Sequence, residues 1–152
     1  MSGPSALAVA RMWGWAAVLR PLKHVVPLGT LVRWARARPA KPRSPEFERA
    51  LESFLTAGGR FPRRAPGNCL ERSLCVYRLL CERNADPEIA VGVRRGSPLG
   101  LEGHVWLSVD GRPFAELPGA LDGYVTVVRY GADGRPRTVG GTQVDLAGVR
   151  IA

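Results

Sequence analysis

The spacing of apolar residues along this chain changes once, just past residue 84. Before that point they recur at helical intervals; after it they alternate as in strands. Leu7 to Leu19 is an almost unbroken apolar run and predicts a first helix, ended by Pro21. Leu28, Leu31, Val32 and Ala35 predict a second, with Arg33 and Arg36 on its other face. Arg38 to Pro45 carries three prolines and three basic residues and reads as a linker. Ser44-Pro45-Glu46 is a helix start, with a cap, a proline at the first helical position and an acid in the first turn. Phe47, Ala50, Leu51, Phe54 and Leu55 follow as a stripe, stopped at Gly58-Gly59. Residues 60–67 form a turn-rich approach to a fourth helix. That helix is capped by Asn68, with Leu70, Leu74, Tyr77 and Cys81 on one face and Ser73, Val76 and Leu80 beside it. Asn84 suits the left-handed conformation that ends helices.

The second half reads as a series of strands. Ile89, Val91 and Val93 alternate as a strand, and residues 94–102 form a Gly/Pro loop. Val105, Leu107 and Val109 then alternate against His104, Trp106 and Ser108, up to the hairpin signal Asp110-Gly111. Tyr124 to Tyr130 is a further strand, Asp133-Gly134 a turn, and Val144 to Ile151 a weak last strand. Helices followed by strands give an α+β fold, with the fourth helix packed on an antiparallel sheet.

Charge divides the chain differently. Residues 1–64 hold 12 Lys/Arg and three acids, a net of +9, while residues 65–152 hold 10 of each. The reading is a basic helical region, 1–64, and an electrically balanced core, 65–152, forming together one compact unit. A basic surface can attract nucleic acid, anionic lipid or an acidic peptide. A nucleic-acid module is disfavoured, because residues 1–64 lack the stacking aromatics on strands that single-strand binders use. No zinc-ligand set is present, with only two histidines far apart. The run Ala6 to Leu19 is interrupted by Arg11, is shorter than the ~20 residues of a membrane span, and follows no basic segment as a signal peptide would. The expected compartment is the cytoplasm, with the anionic membrane surface as a site of contact.

Cysteines stand at 69, 75 and 81. An odd number without an export signal argues for free thiols. Cys75 and Cys81 fall inside the helix and are expected to pack. Cys69 falls in its first turn, where unpaired N–H groups and the helix dipole favour a thiolate. His104 follows 35 residues later on a strand. Singly, a cysteine or a histidine in such a place is most often a packing residue. Together, in this order, they match a thiol nucleophile and its general base.

An orienting acid would complete the set, and two are in range. Asp110 lies in the turn and suits turn chemistry. Glu116 lies on the returning strand, and register decides its direction. A two-residue turn at 110–111 sets 105 opposite 116 and points Glu116 away from His104. A three-residue loop, Asp110-Gly111-Arg112, sets 106 opposite 116 and puts Glu116 on the histidine's face, within diagonal reach. The second register is expected, with Glu116 as the acid. Trp106 shares the histidine's face in either.

Pro66-Gly67-Asn68-Cys69-Leu70-Glu71-Arg72-Ser73-Leu74, the apolar helix that follows, Gly92-Val93 and His104-Val105-Trp106-Leu107-Ser108-Val109-Asp110-Gly111-Arg112 resemble the leader peptidases of lasso-peptide biosynthesis, transglutaminase-like cysteine proteases. The likeness covers residues 60–117. It implies a transglutaminase/papain-like core and a triad of Cys69, His104 and Glu116 that removes the leader from a precursor peptide. It departs from the pattern in having glutamate where aspartate is usual and Val105 where alanine is common. It also implies partners, a leader-recognition protein and an ATP-dependent lasso cyclase, and no cofactor. Two other readings use the same residues: an acyltransferase that delivers the thioester to an amine, and a non-catalytic adaptor in a peptide-maturation complex.

Overall fold

The computed structural model describes residues 5–57, 68–96, 100–139 and, for the backbone alone, 150–151. Four helices precede the sheet: α1 (Ala6–Leu22), α2 (Leu28–Ala35), α3 (Pro45–Thr56) and α4 (Cys69–Glu82). The strands are β1 (Pro87–Arg95), β2 (Leu101–Val109), β3 (Arg112–Phe114), β4 (Val125–Tyr130), β5 (Pro136–Thr138) and β6 (Arg150–Ile151). The first five form an antiparallel sheet in the order β3-β2-β1-β4-β5, so the fold is α+β, helices first, as expected.

Asn68 stands at the N-cap position of α4, but its backbone is in the right-handed helical region (φ −106°, ψ −2°) and its side chain makes no capping hydrogen bond, contrary to expectation; the other two end signals act as their sequences indicate. Ser44 Oγ accepts from the Phe47 N–H, and Pro45 occupies the first turn of α3. Asn84, at φ 52°, turns the chain out of α4 into β1. Pro21 does not end α1, contrary to expectation. The helix runs one residue past it, and the Lys23 N–H still donates to Leu19 O and Pro21 O. Proline lacks only its own N–H, so a carbonyl one turn back loses a donor while the last turn closes. Gly58-Gly59 and residues 60–67 lie outside the described residues, as does most of the stretch Val144 to Ile151. The strands flanking the expected 94–102 loop reach further into it, to Arg95 and from Leu101, so β1 does not end at Gly92-Val93.

The fourth helix is more deeply placed than one apolar face suggests. All but a few of its residues are buried, including Glu71, Arg72 and Ser73. Helices α1 and α2 pack on it from one side and β1 and β2 from the other. The sheet gives this core Ile89, Val91, Val105 and Leu107, which face one another across the β1–β2 pairing. The alternate positions, Ala90, Gly92, His104 and Trp106, belong to the opposite face. One core cluster joins α1, α2, α3, α4 and the sheet.

The hairpin turn overturns the expected register. Val109 pairs with Arg112, so the turn has two residues, Asp110 and Gly111, at φ 51° and 75°. Positive φ at both central positions matches the right-handed strand twist. Continued regularly, this register would point Glu116 away from His104. It does not continue: β3 stops at Phe114, and Ala115 adopts φ 56°. A left-handed residue reverses the alternation, and Glu116 returns to the histidine.

For alanine that conformation costs roughly 1–2 kcal/mol. Ala115 is 3 % exposed and held at both ends, its N–H donating to Glu52 Oε1 at 3.2 Å and its C=O accepting from Arg72 Nη2 at 3.2 Å. Ala115→Gly should therefore be neutral or stabilising by up to about 1 kcal/mol, and Ala115→Val destabilising by about 2 kcal/mol or more. Urea denaturation of both variants checks this. Equal stability of the valine variant and the parent would rule out the left-handed turn.

Candidate active site

Two elements and the segment that follows β3 meet at the N-terminal end of α4. Cys69 is the first residue of the helix and is half-buried, so its thiol can meet a substrate. The other two thiols are buried. Burial and the neighbouring Glu71 carboxylate push Cys75 up to about 12, and burial outweighs nearby donors to raise Cys81 to about 11. They are packing residues, as expected, and inert at neutral pH.

His104 stands on β2 beside both Cys69 and Glu116. Burial opposes its charged form, but hydrogen bonding to the Cys69 and Glu116 side chains, with their negative charge, outweighs that and raises the imidazole from 6.5 to about 9. Glu116 Oε2 lies 3.7 Å from Nε2, an ion-pair distance, and both side chains are largely buried. The structure thus brings together the three residues singled out from sequence. Asp110 is not among them. Its carboxylate is exposed and pairs with Arg43, which also holds Glu48, so the turn is tied to the start of α3.

The helix that presents Cys69 also holds the chain that presents the other two residues. Strand β3 pairs with β2 at Leu107–Val109 and β6 at Glu102–Gly103. Between them, the Val105 carbonyl accepts from Ser73 Oγ at 3.2 Å, fixing β2 next to His104. One residue earlier on α4, Arg72 Nη2 donates to Ala115 O and to Leu55 O, fixing the segment that carries Glu116 to the end of α3. Lys23 Nζ lies 3.0 Å from the buried Glu71 Oε1, tying the end of α1 to the first turn of α4. Sequence reasoning did not assign these roles. Their signal in the sequence is the run Glu71-Arg72-Ser73, three consecutive polar residues at the start of a mainly apolar helix.

Aromatic rings wall the histidine. Its centroid is 6.0 Å from the Trp106 ring, near-parallel at 21°, and 5.4 Å from Tyr124. Arg94 lies over Tyr124 at 4.6 Å and pairs with Glu102 at 2.8 Å. Trp106 lies flat across β1 because residue 92, directly opposite His104, is glycine. A Cβ there would come within 2.5 Å of Trp106 Cη2.

Among the described residues no group of His, Cys, Asp and Glu could hold a metal ion, and no helix is long and apolar enough to cross a membrane.

No curated protein and no solved structure matches the chain. A family profile does, the Transglutaminase-like superfamily, over residues 8–129, a span that includes Cys69, His104 and Glu116 and also helices α1 to α3. The chain belongs to the transglutaminase-like superfamily.

Proposed function

We propose that the protein is a cysteine peptidase that removes the leader from a ribosomally made precursor peptide, with Cys69 as nucleophile, His104 as acid and base, and Glu116 as the group that orients and charges the imidazole. The observation that carries this reading is the meeting of Cys69 from α4, His104 from β2 and Glu116 from the segment after β3, within a superfamily that includes cysteine peptidases. The lasso-peptide precursor is the substrate favoured by the sequence resemblance around Cys69 and His104. A leader-recognition protein and an ATP-dependent cyclase are the partners it implies.

The chemistry follows from charge and position. The Cys69 sulfur attacks the scissile carbonyl carbon. His104, as imidazolium, gives its proton to the leaving nitrogen as the C–N bond breaks, and a thioester remains. The helix N-terminus favours the oxyanion formed on the way. Neutral His104 then takes a proton from water, whose oxygen attacks the thioester, and the thiolate leaves. Glu116 at Nε2 leaves Nδ1 to face the sulfur and favours the charged ring. Arg72 and Ser73 keep the three parts in register.

Cys69→Ala should abolish leader release, while Cys75→Ala and Cys81→Ala retain it with a loss of stability of about 1–2 kcal/mol. Iodoacetamide should label Cys69 well before the other two. Mass spectrometry reads both, and cleavage by the Cys69→Ala chain would end the thiol mechanism.

The alkaline limb of kcat/KM should fall near pH 9. The proton His104 must donate is bound below its raised pKa and lost as pH rises through about 9. Glu116→Gln removes a charge that raises this pKa, so the limb should move to lower pH. Arg72→Lys should move it the same way, since the shorter donor no longer holds Ala115 and Glu116 in place. His104→Ala should cost on the order of 10³-fold or more. A limb unmoved in Glu116→Gln would remove Glu116 from the triad.

A further inference from the structure

A groove of about 1000 Å³ opens where the last two turns of α4 meet α1, α3 and the segment joining α2 to α3. Seven Lys/Arg and two Glu line it. Several of these charges are already matched. Arg11 and Arg78 share Glu82, and Arg83 lies over the Phe47 ring at 4.1 Å. Arg36, Arg38, Lys41 and Arg49 are exposed and enter no ion pair with another described residue. Phe47, Ala50 and Leu79 add apolar side chains to the lining.

We infer that this groove binds an acidic, partly apolar peptide segment. Its concavity suits an extended chain better than a flat membrane. A lining that mixes cations with the apolar side chains of Phe47, Ala50 and Leu79 suits carboxylate side chains interleaved with small hydrophobes better than the closely spaced phosphates of a nucleic acid. Cys69 and the groove residues of α4 stand at opposite ends of that helix, about 15–20 Å apart at 1.5 Å per residue. An extended peptide spans that distance in about five or six residues. The groove would then anchor a substrate by an acidic stretch at least about five residues from the bond cut. That last step rests on the peptidase reading; the binding itself does not.

Fluorescence anisotropy tests the binding on the Cys69→Ala chain, with a fluorescein-labelled decapeptide of five Glu and two Leu among Gly and Ser. Saturable binding is expected at 50 mM salt, weakened at 300 mM and absent for the peptide with Lys in place of Glu. Reversal of Arg36, Arg38 and Lys41 to Glu should weaken binding at least tenfold. The same reversal at Arg20, Arg112 and Arg135, outside the groove, should change it less than about threefold. Equal loss in both triples would mean net charge and not the groove. Tighter, groove-dependent binding of a dT10 oligonucleotide or of phosphatidylglycerol vesicles would replace the peptide with that ligand; either result overturns the proposal. A wild-type chain that binds the peptide but cleaves no precursor keeps the groove and removes the peptidase reading. Precursor cleavage with KM unchanged in the Arg36/Arg38/Lys41 triple removes the groove as a substrate anchor.

Discussion

A guanidinium in a protein interior must have its donors met, and Arg72 meets them with carbonyls from two distant parts of the chain. Leu55 ends α3, and Ala115 follows β3. An unmatched buried charge costs several kcal/mol, so this side chain allows few positions for either segment. Around it the other polar residues of the first turns of α4 act alike. Ser73 fixes β2 beside His104, and Glu71 meets Lys23 at the end of α1. The helix that carries the nucleophile is therefore also the frame for the histidine and the carboxylate. A shift of α4 moves all three groups together, which favours constant distances among them over independent motion.

Much of the architecture was legible because it is local. The cap at Ser44, the left-handed Asn84 and the Asp110-Gly111 turn each follow from one residue's preference. The pairing of Cys69 with His104 was legible from motif and spacing. The position of Glu116 was anticipated, but through a register the chain does not adopt. The turn is the shorter one, and the correction comes from Ala115. Nothing local marks that residue as left-handed, since alanine disfavours the conformation. It is held there by Glu52 and Arg72, 63 and 43 residues away, bonds that periodicity cannot reveal. Pro21 erred in the other direction: a strong local signal yielded to a helix end that packing supports. Gly92 was read as part of a motif, yet its reason lies across the sheet, in the indole that covers it.

Three cysteines on one helix show how position separates chemistry from packing. Cys75 and Cys81 are surrounded on all sides, and burial keeps their protons on. Cys69 has the same side chain six residues before Cys75, at the helix end, half-buried and beside the His104 imidazole. The raised imidazole pKa is the thermodynamic record of attraction to the sulfur and to Glu116, exceeding the cost of burying the ring. That linkage has a sign. The interaction stabilises the fold fully below pH 6.5 and is lost as pH rises through about 9, so the site and the fold weaken over the same interval. A single arrangement therefore serves two ends. The charges that ready His104 to donate a proton also help to hold β2, the Glu116 segment and α4 together.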